Sequence, residues 1–423
     1  MLYVTGSHVI ESRAISNLDN RRIYAYTSGG GTSFSIVNVS VKEVISATNT
    51  PRLDYSTGAE AFLLEPQSTN LITQSELFSD ASWRKSNTIV SDNSTISVDG
   101  TQNATLIQST TTTSCFVAPN NLTLTIGNTY TFSCFAKKGN NDWIRLAHVT
   151  SGGTGCWFDL ENGVVGTVNS QSATIEYYGN GWYRCTNTFI AIDDTNSDNA
   201  FIGICDANGS TNAGIVGKND YLWGAQLEAG SYLTSYIPTQ GSAVTRQADT
   251  ASGAGNSEVF NDSEGVLFAD VISNGGTTDW YISIYDLTKN NIVAIRIVYN
   301  NSNKVSVFMV SNGGSAEFDV FYDVGSLGFK NFNKFALKYK VNDVSLFFNG
   351  FEVITISSAA MASGFKSLNF ANATGGTQPF YGKTKEIAYY DTVLTDLELE
   401  TLTSYRSWLS MVKELNLNVI YNG

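Results

Sequence analysis

Short runs of alternating apolar and polar residues, each closed by a turn, dominate this chain and confine it to antiparallel β structure. Tyr130-Thr131-Phe132-Ser133-Cys134-Phe135 and Val305-Ser306-Val307-Phe308-Met309-Val310 show the period of two. Phe335 to Val341 meets Asn342-Asp343 and resumes as Val344 to Phe348. Asn349-Gly350 follows, a pair suited to a type I′ hairpin because both central residues of that turn need positive φ. Phe351-Glu352-Val353-Ile354 closes the second hairpin. Strands this short, with close turns and no βα alternation, predict an all-β chain of antiparallel β-sandwiches.

Two stretches lack sustained alternation and read as linkers, residues 49–75 with Pro51 and Pro66, and residues 238–264 with Gly241-Ser242 and Ala251 to Ser257. They divide the chain into an N-terminal β attachment segment (1–48), a middle sandwich (76–237), a C-terminal sandwich (265–394) and a helix with tail (395–423). About 48 residues cannot bury a core alone, so the strands of 1–48 are expected to pair elsewhere, on this chain or on another. At the far end Thr395 and Glu398 form a capping box. Leu402, Tyr405, Leu409, Val412 and Leu415 or Asn416 then recur at helical spacing. Two readings of that stripe stand, docking on the last sandwich or on a neighbouring subunit.

Composition excludes several functions. Lys and Arg number 25 against 38 Asp and Glu, a net charge of −13, and such a chain lacks the basic face that nucleic acid or an anionic membrane surface requires. No apolar run approaches the ~18–20 residues of a membrane span, and the N-terminus lacks a signal peptide's basic and apolar regions. With only His8 and His148, multi-histidine metal sites are excluded. The cysteines, Cys115, Cys134, Cys156, Cys185 and Cys205, contain no C-x-x-C pair and read as small buried apolar residues suited to a reducing cytosol, with disulfides left open. Asp194-Thr195-Asn196-Ser197-Asp198 resembles the start of a calcium loop. Asn199 stands where the tight-turn glycine belongs and Cys205 where the closing glutamate belongs, so the segment reads as an acidic turn. No cofactor is expected, and a calcium site built from distant loops stays open.

Strand alternation singles out one set of residues for chemistry. In Trp143-Ile144-Arg145-Leu146, the apolar Ile144 and Leu146 face the core and turn Trp143 and Arg145 outward. The same logic turns Trp157 and Asp159 outward in Cys156 to Leu160, and Trp182 and Arg184 outward in Trp182 to Cys185. Exposed indoles stack on the apolar faces of sugar rings while Arg or Asp bonds the hydroxyls, which grips a neutral ligand without burying a charge. Trp143, Arg145, Trp157, Asp159, Trp182 and Arg184 are therefore the candidate carbohydrate-binding residues. The competing readings are an inter-module or intersubunit interface and ordinary packing.

Several segments resemble modules of tailed-phage virion proteins, those of phages infecting Bacteroidetes in particular. They are Thr50-Pro51-Arg52-Leu53-Asp54-Tyr55 with Leu63 to Leu71, Tyr221-Leu222-Trp223-Gly224-Ala225-Gln226-Leu227-Glu228-Ala229-Gly230 with Thr234 to Thr239, and the 335–354 double hairpin with Ile387 to Tyr390 and Leu394 to Asp396. In such proteins the second segment closes a jelly roll similar to carbohydrate-binding modules, and the third ends a laminin-G-like, concanavalin-type sandwich. Phe34 to Val44 likewise resembles the last strand of a carbohydrate-binding jelly roll. The resemblance implies a virion structural protein, a fibre, spike or capsid-decoration component assembled in the host cytoplasm. Its partners would be other virion proteins and host-surface or mucosal glycans, and its state a homo-oligomer, a trimer by analogy with fibres. The alternatives are a purely architectural assembly protein whose aromatic face makes subunit contacts, and a bacterial surface adhesin. No E-x-D-x-x-E run, G-x-S-x-G elbow, P-loop or H-E-x-x-H occurs, so catalysis is not expected.

Overall fold

The structure is a computed structural model that describes residues 52–404, apart from 56–59, 121, 149–154, 193–199, 274–278, 289, 299–302, 313–315, 326–328, 330 and 373–377. The N-terminal segment 1–48, the acidic turn at 194–198 and the helical stripe beyond Leu402 lie outside the described residues.

Period-two patterning produces four large antiparallel sheets, packed as two sandwiches, and the all-β expectation holds. In the middle sandwich one sheet runs in the order 164–169, 155–159, 143–147, 201–205, 115–119, 83–86. The facing sheet runs 172–179, 182–190, 129–138, 219–229, 104–109, 88–95. Ile144, Leu146, Cys156 and Phe158 from the first sheet meet Phe132, Cys134, Cys185 and Leu227 from the second in one buried core. All five cysteines are buried and unbridged.

The C-terminal sandwich pairs a seven-stranded sheet (52–54, 61–64, 382–390, 264–273, 333–340, 344–348, 351–356) with a six-stranded one (252–254, 367–369, 280–285, 292–298, 304–310, 316–323). Asn349 and Gly350 carry φ of 49° and 91° at the expected hairpin, the left-handed pair a type I′ turn demands. Strand Glu264–Ser273 is apolar on both sides. Leu267 and Ala269 enter the sandwich core, while Val266 and Phe268 turn to the other face. There the helix Asp396–Thr403 covers them through the fully buried Leu399, a burial that contributes about 1.5–3 kcal/mol. The capping box is present, with the Glu398 carboxylate accepting from the Thr395 N–H at 2.8 Å. As far as it is described, the helix docks on its own sandwich.

The stretches expected to be linkers are instead built into the fold. Strands Arg52–Asp54 and Ala61–Leu64 extend the seven-stranded sheet by pairing onto Gly382–Tyr390. Ser68–Asn70 pairs with Val244–Arg246, and Ser252–Ala254 pairs with Ser367–Asn369. These strands are three or four residues long, too short to display alternation.

Side-chain hydrogen bonds complete this joint. Asn70 is fully buried and satisfies all four of its amide bonds. Its Nδ2 donates to the carbonyls of Ala225 (3.1 Å) and Ile237 (2.9 Å), and its Oδ1 accepts from the N–H groups of Ile72 and Leu227, both at 3.1 Å. Buried Glu228 accepts from Ser68 Oγ (2.5 Å), Thr234 N–H (2.9 Å) and Thr234 Oγ1 (2.6 Å). Glu65 pairs with Arg52 and with Arg246. The segments 63–71 and 221–239, about 160 residues apart, thus form a single latch.

Candidate functional site

Inside–outside alternation in the middle sandwich follows the expected pattern: Ile144, Leu146, Cys156, Phe158 and Cys185 face the core, and the candidate residues take the opposite side. The expectation of one exposed indole wall is corrected on two counts. Trp143, Arg145, Trp157 and Asp159 belong to one sheet and Trp182 and Arg184 to the other. The two outer faces of a sandwich point away from each other, so the three indoles do not converge. Both outer faces are also covered. Trp157 and Trp182 are each 1% exposed, and Arg145, Asp159 and Arg184 are buried with them.

The covers differ. On the first face, Arg145 stacks against the rings of Trp157 (5.2 Å) and Phe201 (4.8 Å). The 206–214 loop closes over them, where Trp157 Nε1 donates to the Ser210 carbonyl at 2.5 Å. Half-buried Trp143 lies under strand Val164–Asn169, so close that a Cβ on Gly166 would come within 2.6 Å of the indole. On the second face, Trp182 packs with Phe135, Trp223 and Tyr236 and donates from Nε1 to the Ile96 carbonyl at 3.1 Å. Gly224, at φ +59°, makes this packing possible, because a Cβ there would meet the Phe135 ring at 2.9 Å. The segment 231–237 that leads to the C-terminal sandwich lies over this face.

Two cavities stand out among the described residues. One is an open cleft of about 390 Å³ at an edge of the middle sandwich, lined by Lys137, Lys138, Leu160, Glu161, Tyr177, Gly181 and Tyr183. Tyr177 and Tyr183 are cross-strand partners with ring centroids 5.3 Å apart, and Tyr177 is 61% exposed. Their hairpin turns at Asn180-Gly181, both at positive φ. Lys138 Nζ bonds Asp142 Oδ1 (2.6 Å) and Glu161 Oε2 (2.5 Å), and these bonds hold its ammonium well above the usual lysine range. Asp159 lies beneath. Its Oδ1 accepts from the N–H groups of Glu161 (2.9 Å) and Asn162 (3.0 Å), and its Oδ2 from Asn162 Nδ2 (2.8 Å). That turn sets Glu161 in the cleft and brings Gly163 against the Tyr183 ring. Asp159, expected to touch a ligand, therefore positions the groups that line the cleft.

The other cavity, of about 270 Å³, opens at the junction of the sandwiches. Glu176, Tyr178 and Arg184 come from the middle sandwich, Asp54 and Lys383 from the seven-stranded sheet, and Tyr232 to Ser235 from the segment between. Arg184 is the only one of the six candidate residues that lines either cavity. The tyrosines of both cavities escaped sequence reasoning. The available signal was Tyr177-Tyr178 followed by Gly-Asn-Gly, an aromatic pair on a strand that ends in a turn.

The mixed, hydroxyl- and charge-bearing linings suit reversible binding of a polar ligand with ring faces. Among the described residues no group of three or more His, Cys, Asp or Glu side chains is placed to hold a metal ion. No described helix is long and apolar enough to cross a membrane.

The fold and the cavities define a tandem antiparallel β-sandwich protein with two polar, tyrosine-lined recesses. No family model matches the chain and no curated protein matches it. Solved structures that it resembles in part include the SAP-like pentraxin of Limulus polyphemus (9% identity, TM-score 0.29, 36% of this chain and 74% of that one). The CBM40 of the Ruminococcus gnavus IT-sialidase is similar at 19% identity and a TM-score of 0.30, over 36% of this chain and 94% of that one. Domains LG4-5 of the mouse laminin α1 chain are similar at 10% identity and a TM-score of 0.25, over 66% of this chain and 86% of that one. These similarities are slight, and the fold assignment stands on the sheets described above.

Proposed function

We propose that this chain is a non-enzymatic virion structural protein, a fibre, spike or capsid-decoration component, that displays glycan-adhesive β-sandwiches. The observation that carries the adhesive part is the edge cleft. Tyr177 offers an exposed ring face, and Lys137, Lys138 and Glu161 offer donors and acceptors at the rim. A sugar ring stacked on the tyrosine keeps its hydroxyls within reach of those groups. The virion setting is supported by the resemblance of segments 50–71, 221–239 and 335–396 to tailed-phage modules. In that setting the partners are other virion proteins and host-surface or mucosal glycans, and a homotrimer multiplies weak sites through effective concentration.

Glycan-array binding by the full chain tests the adhesive reading. Wild type retains at least one glycan class, and Tyr177→Ala loses it by roughly tenfold or more, as a central aromatic contact does. Equal binding by both proteins, or none by either, overturns the reading. A second reading is purely architectural; with Trp157 and Trp182 buried inside the chain, its subunit contacts would use residues other than those indoles. It predicts no array signal at all. Light scattering tests the trimer, and a monomer at micromolar concentration counts against it.

A further inference from the structure

Arg184 is a buried guanidinium whose surroundings the fold does not fully explain. It is 3% exposed, stacks on Phe135 at 5.1 Å and donates from Nη2 to Ser133 Oγ at 3.3 Å. Its Nε is buried and has no acceptor within the molecule. No carboxylate forms an ion pair with it among the described residues, although Glu176 is its cross-strand partner. A buried donor without an acceptor costs about 1–3 kcal/mol, and this side chain lines the junction cavity.

The other charges there are already committed. Glu65 is paired with Arg52 and Arg246, and Asp54 with Lys383 at 2.9 Å. Glu176 makes no ion pair among the described residues, and the Arg184 guanidinium, hydrogen-bonded to Ser133 and Tyr178, brings an uncompensated positive charge to the same lining. Carboxylates from Asp54, Glu65 and Glu176 outnumber the cations Arg184 and Lys383 in the lining, so an anion meets net repulsion. A cation meets Arg184. A neutral ligand with adjacent hydroxyls suits both groups, one oxygen accepting from the guanidinium and one hydroxyl donating to Glu176. Tyr178 supplies a ring face: it is 42% exposed and is held edge-on to Phe135 at 4.9 Å between centroids. At about 270 Å³ the cavity falls just under the ~300 Å³ lower bound of small-ligand sites, room for one ring.

We infer that the junction pocket is a second subsite, taking one neutral pyranose between Arg184 and Glu176 over Tyr178. The inference rests on the glycan-adhesive reading but uses residues apart from the edge cleft, so the two fail separately.

The test is saturation-transfer NMR on the full chain with the methyl glycosides of glucose, galactose, mannose and N-acetylglucosamine, and with glucuronic acid as the anionic comparison. Thr174→Trp, at an exposed position of the pocket lining, fills the space without touching the core. Glu176→Gln keeps shape and removes charge. The expected result is that each variant lowers the signal of at least one neutral glycoside roughly fivefold or more. Tyr177→Ala removes only the share of that signal that the edge cleft contributes, and glucuronic acid binds more weakly than its neutral counterpart. A signal lost with Tyr177→Ala and unchanged by both pocket variants overturns the inference and leaves the cleft standing. Tighter binding of glucuronic acid overturns it too, as does the absence of signal from every sugar.

Discussion

The two outer faces of the middle sandwich carry the same chemistry, an indole beside an arginine, yet meet different fates. Around Trp157 the cover is local: the sandwich's own 206–214 loop, an Arg145 stacked between two rings and a carbonyl that accepts from the indole. Around Trp182 much of the cover is remote, contributed by the segment that leads to the C-terminal sandwich and held by the Asn70–Glu228 latch. A local cover closes its face, whereas a cover assembled from several parts of the chain leaves a recess beside Arg184. An outward-facing aromatic is thus a statement about one sheet, and exposure is a statement about everything packed on it.

The contrast breaks first at the latch. Asn70→Ala strands two carbonyls and two N–H groups at ~1–3 kcal/mol for each group left unpaired, so a loss of at least about 4 kcal/mol is expected by urea unfolding. Tryptophan emission should shift red as the Trp182 face opens. An unchanged midpoint would show that the joint is dispensable.

Removing either indole should cost as much as removing a core residue. Trp157→Ala and Trp182→Ala are each expected to destabilise by about 3–5 kcal/mol. A solvent-exposed tryptophan would cost well under 1 kcal/mol, so a small effect at either site would restore the exposed-wall expectation there.

Acid sharpens the difference between the two arginines. His148 is buried, stacked on Phe189 at 4.3 Å, and burial together with nearby Arg145 pushes its imidazole down to about 4. The folded state therefore holds it neutral. The stability this represents is fully present above the unfolded value of ~6.5 and is lost as pH falls from there through about 4. Thermal melts across that window should fall by an amount on the order of 1–3 kcal/mol, and His148→Phe should flatten that part of the profile. A wild-type curve with no slope between these pH values would contradict the buried placement.

The smallest structural effect is expected at the cleft. Tyr177→Ala, on a largely exposed side chain, should change stability by no more than about 0.5 kcal/mol.

Strands, hairpins and the capping box were legible because each is encoded within a few residues, as Asn349-Gly350 and Thr395 with Glu398 illustrate. Facing was legible too: Ile144, Phe158 and Cys185 point where alternation places them. Assignment to a sheet was not, because pairing Trp157 with Arg145 and Trp182 with Lys137 is a long-range choice. The 49–75 stretch hid its strands since they are short and held by Asn70, Ser68 and Glu65 side chains instead of by a sustained ladder. Of the candidate residues, Arg184 lines a cavity and Asp159 supports one. The tyrosines that give both recesses their ring faces carried no motif, only an aromatic pair before a glycine turn.

Biolayer interferometry on the strongest array glycan, with wild type, Tyr177→Ala and Trp157→Phe compared at equal stability, tests the account most directly. It predicts a roughly tenfold or greater loss of affinity for Tyr177→Ala and none for Trp157→Phe. A loss confined to Trp157→Phe would contradict it and return recognition to the indole face.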